Sequence, residues 1–244
     1  MAETENRLAL VVGGSRGIGR AIALRLARSG FDLWLTYRRD RAAAESAQAE
    51  IEGLGRACEI LGFDVADDAA TRAALRDRAE ARPPHAVVFN AGVARDNLMV
   101  WMTKEEWDGV LRTDLDGFYH VVHAVLFPML REKRGRIVAI SSTSGQIGQA
   151  GQVNYAAAKA GLIGAVKALA REVGRKGLLV NAVAPGVVGT EMTADLPMDR
   201  VLPLIPLQRA GTVEDVAAVV GFLCSEEHMY IHGQTIGVNG GLAM

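Results

Sequence analysis

Five apolar residues at 8–12, LALVV, run straight into GGSRGIG, and AIALRLA then repeats apolar positions at helical spacing. A strand, a glycine turn and a helix in immediate succession leave few architectures open, because the helix must fold back along the strand it has just left. DLWLTY at 32–37 supplies a second strand, and the alternation continues. Helical spacing covers about 41–53, 68–81, 104–131, 152–175 and 213–224. Strand-like runs lie near 57–63, at 86–89 after Pro83-Pro84, at 136–142 (RIVAISS), at 178–184 (LLVNAVA) and in QTIGVNG close to the end. Seven strands separated by helices predict a parallel sheet covered on both faces, since each parallel crossover needs a helix and each inner strand is buried on both sides. An eight-fold barrel is the rival. Seven strands and a glycine turn directly after the first favour an open, doubly wound Rossmann-type α/β domain.

No linker, repeat or low-complexity stretch divides the 244 residues, half of them apolar, so 1–244 reads as one domain. The one long break, 186–212, is rich in Pro and Met, follows a strand end, and reads as a substrate loop or lid. A net charge of −1 with interspersed signs offers no footprint for nucleic acid. MAETENR carries no apolar run, no stretch of 18 uncharged apolar residues follows, and Cys58 and Cys224 sit in no ligand spacing. A cytoplasmic protein without membrane contact, disulfide or metal is the expectation; His120 and His123 share a helix face but have no third ligand at a plausible spacing.

Gly13, Gly17 and Gly19 open the first helix, where missing side chains let a pyrophosphate approach backbone N–H groups and the positive helix end. The adenosine ribose is read at the end of the second strand, by an acid for a 2′-OH or by a base for a 2′-phosphate. Here that end is Tyr37-Arg38-Arg39, and Arg16 adds a guanidinium within the turn. The cofactor predicted from this is NADPH. Farther on, NYAAAK sets Tyr155 and Lys159 one helical turn apart with only alanines between. On an exposed helix such a pair is worth about 0.2–0.5 kcal/mol and signifies nothing. Placed at the carboxyl edge of the sheet, the ammonium would stabilise a phenolate and ease proton transfer near neutrality.

GGSRGIG, Asp64-Val65, Asn90-Ala91-Gly92, Ser142, Tyr155-x-x-x-Lys159 and Pro185-Gly186 together resemble the short-chain dehydrogenase/reductase family over nearly the whole chain. The resemblance implies a catalytic Ser142 that hydrogen-bonds the substrate oxygen, Tyr155 as proton donor, and Lys159 gripping the nicotinamide ribose. It places Ser15, Ile18 and Gly92 with the glycine turn at the cofactor. Asp64 and Val65 would border the adenine, Asn90 the ribose, and Val188 and Thr190 the carboxamide and phosphates. Ser141 and Ser144 would serve the turn or the strand end. The family's usual asparagine is replaced by Asp114, which puts the proton relay in question. GGSRGIGRAIA, NAGVARDNLM, VNAVAPG and GQTIGVNGG are most similar to 3-oxoacyl-[acyl-carrier-protein] reductases, so the resemblance implies an acyl substrate on a carrier protein in fatty acid, polyketide or polyene synthesis. Met192, Leu196, Met198, Leu202 and Leu204 in the lid suit an acyl chain. Arg131, Lys133, Arg134, Arg136, Arg171, Arg175 and Lys176 form two basic stretches that would flank the cleft and receive an acidic carrier. Small residues Ala157, Gly161, Ala165 and Ala168 mark a helix face for either the chain's own packing or a homotetramer. A non-catalytic subunit of the same fold, or a reductase of another small carbonyl compound, is the alternative.

Overall fold

A computed structural model describes residues 7–194, 196–227 and 230–244. The N-terminal hexapeptide, on which the reading of the chain start rests, lies outside them, as do Asp195 and His228-Met229. The strands are β1 (Leu8–Val12), β2 (Asp32–Tyr37), β3 (Cys58–Gly62), β4 (Ala86–Phe89), β5 (Gly135–Ile140), β6 (Leu178–Pro185) and β7 (Thr235–Val238). They form one parallel sheet in the order β3-β2-β1-β4-β5-β6-β7. The order reverses between β1 and β4, which opens a crevice at their carboxyl ends.

Helices α1 (Gly17–Arg28), α2 (Arg41–Gly53), α3 (Asp68–Ala81), α4 (Lys104–Leu111), α5 (Gly117–Glu132), α6 (Thr143–Ile147), α7 (Val153–Val173), α8 (Met198–Val201) and α9 (Val213–Leu223) complete the fold. Alternation along β1 shows how both faces are covered. Leu8, Leu10 and Val12 join the core under α3, α5 and α7, whereas Ala9 and Val11 join the core under α1, α2 and α9. None of the described helices is long and apolar enough to cross a membrane. Both cysteines are free, and burial pushes each thiol up to about 12.

Two features depart from expectation, the long helix and the basic stretches. The long helix predicted over 104–131 is broken by a π-helical turn, Arg112–Asp116, between α4 and α5. Residues 186–212, which by sequence carry a modest helical signal, hold α8 and short 3₁₀ turns, with Met192, Leu196 and Leu204 exposed along them. The basic stretches do not flank the cleft. Lys133 and Arg134 precede β5 and Arg175 and Lys176 precede β6, so they meet at the amino ends of those strands; a Cβ on Gly177 would lie 2.0 Å from the Lys133 carbonyl oxygen. A six-residue strand of roughly 20 Å separates that edge from Ser142. Arg136 is buried in a contact with Glu226 at 3.3 Å. The α7 stripe is used partly within the chain: Gly161 leaves space that Leu115 fills, since an added Cβ would lie 2.9 Å from it, while Ala168 is exposed.

At that same lower edge the buried carboxylate of Asp32 accepts from Arg56 at 2.7 Å, Arg82 at 2.8 Å and the Ala57 N–H at 3.1 Å. Burial alone would raise its pKa, but the hydrogen bond from Arg82, the Ala57 N–H and the two guanidinium charges outweigh it and hold the group below the usual carboxylate range. An acid depressed on folding stabilises fully above its unfolded value near 3.9 and loses that contribution as pH falls through the folded value. Asp32→Ala is therefore expected to cost about 1–3 kcal/mol at neutral pH. The difference from wild type should shrink below about pH 4. Equal stability of the two proteins in neutral urea melts would refute this.

Candidate active site

The glycine turn leaves β1 with Gly13 at φ +72° and enters α1 with Gly17 at φ +53°, both left-handed conformations that disfavour a side chain. Gly19 is required for a different reason: a Cβ there would stand 2.1 Å from the Gly13 carbonyl oxygen. Asn90 holds the turn from the end of β4, donating from Nδ2 to that oxygen at 2.9 Å, and Thr36 accepts the Gly13 N–H at 3.0 Å. Ser15 is buried, and Ile18 packs on the core beneath. Arg16 caps α1 without a side-chain hydrogen bond, and the first turn carries no acid, so the helix end presents its N–H groups to the cleft. This cradle fits the pyrophosphate of a dinucleotide.

Across the cleft, the Thr190 methyl lies 3.8 Å from the point a Gly17 Cβ would occupy. Val188 is buried below it, and Thr193 donates to the Val188 carbonyl at 2.6 Å. Arg16 reaches over to Glu191 at 2.9 Å. At the β2 end the Arg38 guanidinium stands 3.7 Å from Asp64, and Arg39 is exposed beside it. Val65 is buried against Gly117. Arg38 and Asp64 thus meet at the end of β2, while Arg16 pairs across the cleft with Glu191.

Ser142 follows β5 and caps α6. Its Oγ accepts the Ser144 N–H at 3.1 Å, and its side chain pulls the Tyr155 phenol pKa downward. Neighbouring Ser141 is buried and donates to the Lys159 carbonyl at 2.9 Å, so it anchors α7 and is turned away from the cleft. Lys159 is 3 % exposed, donates to the Ile140 carbonyl at 3.2 Å, and lies 5.3 Å from the Tyr155 ring centre. Asp114 projects from the π turn. Its Oδ2 is 3.0 Å from Lys159 Nζ, and its Oδ1 accepts the Val93 N–H at 2.8 Å. Gly92 makes this packing possible, because a Cβ there would meet Asp114 Oδ2 at 2.7 Å and Lys159 Nζ at 3.1 Å.

Burial and the Asp114 charge push the Tyr155 phenol upward, against the pull of Lys159 and the bond to Ser142. Burial raises Asp114 despite Lys159 and the Val93 N–H. Lys159 would fall on burial, yet Asp114 and Tyr155 hold it above its ordinary value, so it stays an ammonium. Sequence reasoning passed over three residues here. Asn154 is fully buried and donates to the Arg95 and Glu106 carbonyls, and Gln152 with Asp96 forms a side-chain link at the mouth. The signal was present in GQVNY, where two amides precede the tyrosine. His120 contacts the Val65 carbonyl and His123 stacks on Tyr119; no group of three metal-ligating side chains occurs among the described residues.

Residues 12–243 match a family model described as enoyl-(acyl carrier protein) reductase. Among curated proteins, the chain is 47 % identical to 3-oxoacyl-[acyl-carrier-protein] reductase FabG of Aggregatibacter actinomycetemcomitans, covering 96 % of this chain and 98 % of that protein. It is 46 % identical to the protein of that name from Pseudomonas aeruginosa and 43 % to that from Escherichia coli strain K12, each with 98 % of both chains covered. A doubly wound sheet, a glycine cradle at its switch point, a serine–tyrosine–lysine cluster on the adjoining strand and helix, and full-length relatives agree: the chain belongs to the short-chain dehydrogenase/reductase family.

Proposed function

We propose that the protein reduces a 3-oxoacyl thioester, borne on an acyl carrier protein, to the 3-hydroxyacyl thioester with NADPH. The observation that carries this reading is Ser142 and Tyr155 set with a buried Lys159, 5.3 Å from the Tyr155 ring centre, at the carboxyl edge that also holds the glycine cradle. A ketone becoming an alcohol concentrates negative charge on one oxygen, and two neighbouring hydroxyls, each with its own proton, can both donate to that atom. Tyr155 delivers the proton and Ser142 holds the oxygen in place. Lys159 supplies the charge that stabilises the resulting phenolate and reaches the nicotinamide ribose. Gly13, Gly17 and Gly19 with the α1 N–H groups would hold the pyrophosphate, and Arg16 and Arg38 the 2′-phosphate. Bound there, the reduced nicotinamide supplies the hydride. The exposed lid residues Met192, Leu196 and Leu204 offer apolar surface to the acyl chain.

The family model's description favours a second substrate, an enoyl thioester, in which a carbon–carbon double bond is reduced. The paired hydroxyls suit a carbonyl oxygen better, and the relatives are named for 3-oxoacyl substrates. Following NADPH oxidation with a 3-oxobutanoyl thioester and a crotonyl thioester in parallel decides between them. Turnover of the first is expected; turnover of the second alone overturns the reading, and turnover of neither marks a non-catalytic subunit. Within the same assay, Arg38→Asp is expected to raise KM for NADPH about 10–100-fold by replacing a phosphate partner with a repelling charge, and to change that for NADH less than about threefold. Equal losses for both cofactors would refute the 2′-phosphate assignment.

A further inference from the structure

Gln152, the residue that caps α7 one turn before Tyr155, has both ends of its amide engaged. Nε2 donates to Asp96 Oδ2 at 2.7 Å, and Oε1 accepts from Ser144 Oγ at 2.8 Å. An ionised carboxylate only accepts, so Asp96 fixes which end of the amide is nitrogen. The opposite end is then an obligate acceptor, and the Ser144 hydroxyl must spend its proton on it. The Ser144 main-chain N–H donates to Ser142 Oγ at 3.1 Å. One lone pair of Ser142 is thereby filled, and its own proton is left to donate elsewhere. Of the three serines, Ser141 gives its proton to Lys159 O and Ser144 gives its proton to Gln152, which leaves Ser142 alone able to donate to a substrate.

The start of α7 is also held by other bonds. Asn97 N–H donates to the Gly151 carbonyl at 2.8 Å and pairs with Gln152 through the backbone, and Asn154 ties α7 to the Arg95 and Glu106 carbonyls. These bonds fasten the start of α7 to the segment after β4 and do not reach α6. What the amide adds is a tie from α7 to Ser144 of α6, the residue whose main-chain N–H meets Ser142 Oγ.

We propose that Asp96 and Gln152 are positioning residues that act through Ser144 to orient the Ser142 hydroxyl toward the substrate carbonyl, resting on the 3-oxoacyl reductase reading above. Asp96 has a second effect. Three charges face the Tyr155 phenol: Lys159 from α7 lowers its pKa, while Asp114 from the π turn and Asp96 from the segment after β4 raise it. Asp96 therefore helps keep Tyr155 protonated for its role as acid.

The test compares wild type, Asp96→Ala, Gln152→Ala and the double variant, using 3-oxobutanoyl thioester turnover, NADPH binding by fluorescence titration, and the pH dependence of kcat. Each single variant is expected to lose about tenfold in kcat. The double variant should lose no more than the worse single, because one chain has been cut twice. NADPH affinity should stay within about twofold throughout, and Asp96→Ala, which removes a charge, should move the basic limb of the profile to lower pH while Gln152→Ala leaves it in place. Unchanged kcat in both single variants, losses that multiply in the double variant, or NADPH affinity falling in step with kcat would each overturn the proposal. A wild-type protein without 3-oxoacyl reduction would sink the functional reading itself, an outcome the parallel wild-type assay reports separately.

Discussion

Replacing Tyr155 with phenylalanine is expected to lower kcat by about 10²–10⁴-fold, the range for loss of one positioned acid. The change removes an oxygen and leaves the ring that lies 5.3 Å from the Lys159 ammonium. The ion pair of Lys159 with Asp114, its bond to the Ile140 carbonyl, and the Asn154 ties do not involve the phenol oxygen, so the fold around the site should persist. NADPH affinity should therefore remain within about twofold, and the loss should appear in kcat. Turnover near that of wild type would end the assignment of Tyr155 as proton donor.

The second large effect concerns Asp114, where both carboxylate oxygens face a donor and the paired Lys159 has little contact with water. Asp114→Ala strips a buried ammonium of its counter-charge and orphans the Val93 N–H. A loss of about 3–5 kcal/mol is expected, a large share of the 5–15 typical of a domain. Asp114→Asn is gentler but not neutral, because an amide turned either way sets its NH₂ against Val93 or against Lys159. Its informative readout is pH. Asp114 raises the Tyr155 pKa and holds Lys159 up, so removing its charge lowers both. Reduction needs the phenol protonated, and the basic limb of the kcat profile should move to lower pH while activity is retained. An unmoved profile would show that the carboxylate is not coupled to the tyrosine. A wild type inert toward 3-oxoacyl thioesters and revived by Asp114→Asn would make this aspartate an inactivating substitution.

Much of the fold was legible because periodicity and breakers agreed. The spans 41–53, 68–81 and 86–89 match α2, α3 and β4 residue for residue. The π turn stayed hidden, since RTDLD carries no breaker and one extra residue in a turn leaves the apolar spacing readable as a single helix. SSTSGQI reads as turn by composition, and α6 forms there because Ser142 caps it. The basic stretches were placed at the wrong edge, although the order of the chain held the answer. They come before β5 and β6, whereas Ser142 and Pro185-Gly186 come after them, and in a parallel sheet those are opposite ends. The Gln152 link escaped notice because a side-chain network depends on two loops meeting, which no local pattern encodes.

The π turn between α4 and α5 also constrains how this protein can vary. Relative to an unbroken helix, it inserts one residue, which rotates everything downstream by about 100° about the helix axis. Upstream, Val110 points into the protein; downstream, Phe118, Val121, Val122, Val125 and Met129 fill the core. Asp114 faces Lys159 from the turn itself. Deleting any one residue from 112–116 would let a regular helix close, and the chain would then have to choose. If α5 kept its packing, Asp114 would rotate off the lysine; if Asp114 kept its place, the apolar stripe of α5 would turn toward solvent. Length across this segment is thus under the joint control of the core and the site, and drift by substitution is open to it where drift by insertion or deletion is closed.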